Sequence, residues 1–128
     1  MQIFGNKSFT RFARKSGITD VSLCKSIRDA ERGLIDADLG GAVIKLRIAR
    51  SGEGKSGGFR TLILFRAGER AIFVHCFAKK DIGNISDDEL AAFRILAAEM
   101  LNYSDAAIAA AVAYGVLIEV FEDEEAIS

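Results

Sequence analysis

Residues 42–80 read AVIKLRIAR-SGEGKSGG-FRTLILFR-AGE-RAIFVHCFAKK. Three apolar runs of strand length are separated by breaks that contain glycine, the pattern of an antiparallel meander. Cations are set into it at short intervals: Lys45, Arg47, Arg50, Lys55, Arg60, Arg66, Arg70, Lys79 and Lys80. Only Glu53 and Glu69 oppose them, which leaves the stretch at +7.

Successive side chains of a strand point to opposite faces. Ile44, Leu46 and Ile48 therefore share one face of the first strand, and Lys45 and Arg47 the other. Parity puts Arg50 on the core side at the strand's end. In the second strand Arg60 and Arg66 share a face with Leu62 and Leu64, so some other element is expected to cover those leucines. In the third, Ile72, Val74 and Cys76 are predicted on one face, with Phe73, His75, Phe77 and Lys79 on the other. Packing Ile44, Leu46 and Ile48 under a helix turns a basic, partly aromatic surface outward. A one-residue slip in register would exchange a strand's faces.

Outward from the meander, the chain reads as one α+β domain of 128 residues with an acidic tail at 122–128. Half of the residues are hydrophobic and 27% are charged, as in ordinary soluble domains. No apolar run approaches the roughly 20 residues of a membrane helix. The start, MQIFGNKSFTRFARK, lacks the apolar core of a signal peptide, so a cytoplasmic setting is expected. Cys24 and Cys76 read as reduced, buried small hydrophobes. One histidine and two cysteines without short spacing argue against a metal site, and no cofactor is expected.

Charge is segregated along the chain. Residues 1–41 carry +2, whereas in 81–128 Arg94 alone stands against eleven acids, a net of −10. A basic middle and an acidic end imply one surface for an anion and another kept clear of it.

Gln2–Phe4 reads as a short edge strand and Lys7–Lys15 as a helix ended by Gly17. A second helix begins at Thr19 or Asp20, turns Val21, Cys24 and Ile27 toward the sheet, and stops at Gly33. After the meander, Ser86–Glu89 has the S-x-x-E form of a capping box. The helix it opens carries Leu90, Phe93, Leu96, Ala97, Met100 and Leu101 on an apolar stripe. Ser104 caps an alanine-rich helix through Tyr114, and 116–121 reads as a final strand.

Several motifs compete for a functional reading. Residues 49–56, ARSGEGKS, approach a phosphate-binding loop, but position 49 is alanine and a strand follows where that loop feeds a helix. The glycines instead make a hairpin loop that carries Lys55. Asp87, Asp88 and Glu89 are explained as cap and dipole partners rather than metal ligands. A helix-turn-helix reader built from the last two helices is excluded, because they carry almost no cations to meet phosphate. His75 is either a packed strand residue or part of a site, and Phe73 and Phe77 are either core or base-stacking platforms. The cations interrupt three successive apolar strands, which favours a phosphate-binding surface over a merely solvated face.

The segment Gly52–Arg60, GEGKSGGFR, and the strand end FAKK, set after two helices and before an acid-capped helix, resemble the RelE/ParE superfamily of type II toxins. The likeness is greatest to its HigB-like branch and covers nearly the whole chain. It implies a toxin that cleaves mRNA in the ribosomal A site. The 2′-hydroxyl attacks the adjacent phosphate and leaves a 2′,3′-cyclic phosphate. Arg60 matches the arginine that holds the scissile phosphate, and Lys45 and Lys55 match a base or charge stabiliser. Lys79 matches a second cation at the end of the last meander strand. Arg47, Arg50, Arg66, Phe73, His75, Phe77 and Lys80 would line the RNA. A lysine serves as base only where neighbouring cations lower its pKa. Many relatives use an aromatic hydroxyl near the C-terminus as general acid, for which Tyr114, in a predicted helix, is the candidate. The family also implies a small antitoxin with an acidic segment that covers the +7 surface. A non-catalytic nucleic-acid or ribosome-binding module and a gyrase poison are the other readings.

Overall fold

The computed structural model describes residues 1–50, 54–78 and 85–121, and only the backbone of residues 49, 50, 54–57 and 78. The described residues form four helices and a six-stranded sheet. In chain order these are β1 (Gln2–Asn6), α1 (Lys7–Lys15), α2 (Asp20–Glu31), β2 (Ala37–Asp38), β3 (Val43–Arg50), β4 (Gly54–Arg66), β5 (Arg70–Ala78), α3 (Asp87–Met100), α4 (Asp105–Ala113) and β6 (Leu117–Glu119).

Side-chain caps fix where the helices begin. Asn6 accepts the Phe9 N–H at 2.8 Å and starts α1. Thr19 does the same for the Ser22 N–H in α2, and Ser104 for the Ala107 N–H in α4. At α3, Ser86 and Glu89 form the full reciprocal box that the sequence predicts. The inward stripe of α2 is Leu23, Cys24, Ile27 and Ala30. Val21, expected against the sheet, is 47% exposed. It lies one turn ahead of that stripe but off its axis.

The sheet order is β2-β3-β4-β5-β1-β6. The meander β3-β4-β5 is antiparallel as expected, with Arg47 opposite Arg60 and Arg60 opposite Phe77. Two expectations are corrected. β1 is not an edge: it lies between β5, to which it is parallel, and β6, to which it is antiparallel. Ile3 and Phe4 are each 4% exposed on opposite faces, and a strand apolar on both faces belongs inside a sheet. The glycine-rich break is also shorter than predicted, because β4 starts at Gly54, paired with Arg50. Gly54–Gly58 are strand, since glycine tolerates extended backbone as readily as a turn.

Helices cover both faces. On one, α1 and α2 close over Ile44, Leu46, Ile48, Phe59, Ile63 and Phe73. On the other, α3 and α4 bury Val43, Leu62, Leu64, Ile72 and Val74 under Ala97, Met100, Leu101 and Ile108. α3 is thus the element that covers Leu62 and Leu64. Its C-terminal end is pinned by two meander arginines. Arg70, only 7% exposed, donates from Nη1 to the carbonyls of Met100 (2.9 Å) and Tyr103 (3.0 Å). Arg66 donates to the Leu101 carbonyl at 2.9 Å. Cations at a helix C-terminus satisfy its orphan carbonyls and complement its dipole.

Candidate nucleic-acid interface

α3 does not cover the whole of its face. Beyond it lie two rows of side chains set by the strand register. Lys45, Leu62 and His75 form one row across β3, β4 and β5; Arg47, Arg60 and Phe77 form the next. Leu62 is buried under the helix, and the other five are half-buried. Lys45, Arg47 and Arg60 therefore share one patch.

His75 and Phe77 reach this face because of a β-bulge. The register runs Leu62 with His75 but Ile63 with Phe73, so Val74 is an extra residue. The extra residue reverses parity beyond it. Ile72, Val74, His75 and Phe77 lie on the α3 side, while Cys76 packs toward the α1–α2 core. The bulged Val74 carbonyl is held by the Asn6 side chain, whose Nδ2 donates to it at 3.1 Å. One asparagine thus caps α1 and secures the kink that orients the site.

The predicted aromatic face is corrected accordingly. Phe73 is fully buried and stacks on Phe9 of α1, ring centroids 4.8 Å apart. It is core, not an RNA platform. Burial in the α1–α2 core raises the Cys76 thiol pKa to about 12. His75 lies between two rings, 5.4 Å from Phe77 and 6.1 Å from Phe93 of α3. Phe93 carries no polar atom, and its helical spacing reads only as core.

Electrostatics separate the cations. Arg47 and Arg60 sit directly opposite each other, an arrangement of like charges that costs stability. Asp36, just before β2, relieves part of that cost: its Oδ2 lies 3.4 Å from Arg47 Nε, without the angle of a directed hydrogen bond. Arg60 and Lys45 make no ion pair with an acid among the described residues, and the buried Arg60 Nε has no partner there. A buried donor left unpaired costs about 1–3 kcal/mol, and it is satisfied when an anion arrives.

Arg66 leaves the patch. It lies six positions along β4 from Arg60, roughly 20 Å at strand rise. Its guanidinium is engaged with the Leu101 carbonyl and, at 4.0 Å, with Glu69. The backbone places Arg50 and Lys55 in the β3–β4 hairpin, and their side chains lie outside the described residues, as do Lys79 and Lys80. Tyr114 is not near the cations. It ends α4 beside β6, is 86% exposed, and β6 is three strands from β4, about 14 Å across the sheet.

The α3 edge of the patch is fixed by Arg94. Its Nε and Nη2 both donate to the Leu39 carbonyl. A Cβ on Gly41 would come within 2.7 Å of Arg94 Cγ, and Gly41 has φ +59. Glycine is required there on both counts. Two concavities, about 360 and 750 Å³, flank β6 instead and contain none of the meander cations. No group of three or more metal-ligating side chains occurs among the described residues. No single helix among them is long and apolar enough to cross a membrane.

Fold and patch together define a small α+β protein with a cationic face framed by one helix. Residues 1–120 match the family model described as the RelE toxin of the RelE/RelB toxin–antitoxin system, and the chain belongs to that family. It is a toxin of a toxin–antitoxin system, which implies a cognate antitoxin partner. No curated protein gave a significant match.

Proposed function

We propose that the chain is a ribosome-dependent mRNA endoribonuclease whose site is the patch of Lys45, Arg47 and Arg60. Lys55 and Lys79 act with them, and Arg50, Lys80, His75 and Phe77 contact the RNA. The Gly52–Arg60 motif supports reading it as a member of the HigB-like branch. The setting would be the cytoplasm, where the ribosome presents the message.

One observation carries this reading: the buried Nε of Arg60 has no partner among the described residues, and a second guanidinium lies directly opposite. Protein folding gains nothing from that arrangement. It becomes favourable when a phosphate dianion-like transition state sits between the two forks, because charge-assisted bonds strengthen as negative charge develops. Arg60 would hold the scissile phosphate, and Lys45 would stabilise the attacking 2′-oxygen from β3.

The test is incubation of purified protein with ribosomes programmed with a defined mRNA. The expected result is cleavage within the A-site codon with 2′,3′-cyclic phosphate ends, reduced about 10²–10³-fold by Arg60→Ala. Intact mRNA on arrested ribosomes would make the chain a binding module instead. Intact mRNA with DNA damage in cells would make it a gyrase poison.

A further inference from the structure

We infer that His75 is the proton donor to the leaving 5′-oxygen, acting across the bound phosphate from Lys45. The inference rests on the endoribonuclease reading above. It is carried by the register of three strands. In-line displacement at phosphorus puts the attacking and departing oxygens on opposite sides of the phosphate. Groups serving them must therefore stand on opposite flanks of whatever holds the phosphate. Arg60 is on β4; Lys45 is on β3 and His75 on β5, in register through Leu62. Their backbones are two strand spacings apart, roughly 10 Å, with Arg60 projecting from the strand between.

Among the described residues, the phenol and thiol donors are eliminated by position. Tyr114 is at the far edge of the sheet. Tyr103 packs at the opposite end of α3, where Arg70 holds its carbonyl. Cys76 points to the other face, its thiol too weakly acidic to serve. Arginine does not release its proton at working pH. Imidazole is the side chain whose ordinary titration spans pH 5–8, and this chain has one. The bulge at Val74 turns His75 onto the face that carries Lys45 and Arg60. Phe77 and Phe93 bracket the ring and hold its orientation.

The step balances as follows. Solvent hydroxide removes the 2′-hydroxyl proton, and the Lys45 ammonium stabilises the 2′-oxyanion. The O2′–P bond forms and the P–O5′ bond breaks. The His75 imidazolium gives its proton to the 5′-oxygen and is reprotonated by water. Among the described side chains, the charged groups carried by β3, β4, β5 and α3 around the ring are Lys45, Arg47, Arg60, Arg66 and Arg70 on the strands, and Asp87, Asp88, Glu89, Arg94 and Glu99 on α3.

The experiment compares wild type, His75→Gln and His75→Asn on ribosomes carrying either ordinary mRNA or mRNA with sulfur replacing the 5′-bridging oxygen at the mapped cleavage site. A thiolate leaves without a proton. On ordinary mRNA both variants should cut 10²–10⁴-fold more slowly. The pH–rate profile of both variants on ordinary mRNA should differ in shape from that of wild type. On the sulfur substrate the variants should recover to within about threefold of wild type, which also shows that they are folded. Equal losses on both substrates, or an unchanged rate and profile on ordinary mRNA, would overturn the assignment of His75. If wild type itself leaves ordinary mRNA intact, the endoribonuclease reading fails first.

Discussion

Asp36 and Arg47 show how single charges set the strength of the patch. The carboxylate is the one acid of the described residues near the two opposed guanidiniums, and it neutralises Arg47 but not Arg60. Removing it should loosen the fold slightly and tighten the grip on anions. Asp36→Asn is expected to lower stability by about 0.5–1 kcal/mol, because the pair is partly exposed and screened. It should raise affinity for a short single-stranded RNA severalfold at low salt. Denaturant melts and fluorescence anisotropy measure the two effects, and a drop in both would show that Asp36 only positions Arg47. Cys76 gives a second check at this scale. Burial raises its pKa from 9.0 to about 12, so the folded thiol keeps its proton where an unfolded one loses it. The sign follows: above pH 9 the unfolded state binds fewer protons than the folded one, and stability falls as pH rises toward 12. At pH 8 the thiol should resist iodoacetamide in buffer and react on adding denaturant, as mass spectrometry would show.

Between elements, the Asn6 contact matters more than its size suggests. It satisfies the first turn of α1 and the bulged carbonyl of Val74 together. Asn6→Ala should cost about 1–2 kcal/mol through the lost cap, and cleavage should fall by more than the loss of folded protein explains. Asn6→Asp keeps the cap and removes the donor to Val74. It should retain most of the stability while still impairing cleavage, a split readable by thermal melts beside initial rates. Much of this architecture is legible in the sequence. The alternation from Val43 to Ala78 gives the meander, and the spacing of Ser86 and Glu89 gives the start of α3. Parity pairs Lys45 with Arg47 on β3 and Arg60 with Leu62 on β4, and the register between the two strands, which parity does not give, is what brings the three cations to one face. What stays hidden has a common cause. A bulge is one residue of slip between strands, held by a side chain 68 positions away, and no local pattern marks it. Phe73 was therefore expected on the wrong face. The parallel pairing of β1 with β5 is likewise a long-range choice. Arg66 and Arg70 look like the patch cations in composition, and only the position of α3 turns them into caps for its carbonyls.

Across the whole molecule, charge is sorted by face. The sheet surface beyond α3 carries Lys45, Arg47 and Arg60, whereas within residues 85–121 Arg94 alone stands against six acids. An RNA strand approaching the α3–α4 side is repelled, and one approaching along the strands is drawn to Lys45, Arg47 and Arg60. Such sorting makes binding salt-dependent in a countable way. Each phosphate neutralised on a single strand contributes about −0.7 to the slope of log affinity against log salt. Three described cations in one patch predict a slope of about −2, steeper by whatever Lys55, Lys79 and Lys80 add. Lys45→Gln should make the slope shallower by about 0.7 and weaken binding alike for every RNA sequence. Lys25 is the control: it lies on α2, on the opposite face, 3.4 Å from Asp29. Lys25→Gln should leave the slope unchanged, although it alters net charge by the same amount. Anisotropy titrations of a short oligoribonucleotide from 50 to 300 mM salt distinguish the two. If both substitutions shift the slope equally, RNA answers to net charge rather than to this patch, and placement of the cations on the β3–β4–β5 face loses its functional meaning.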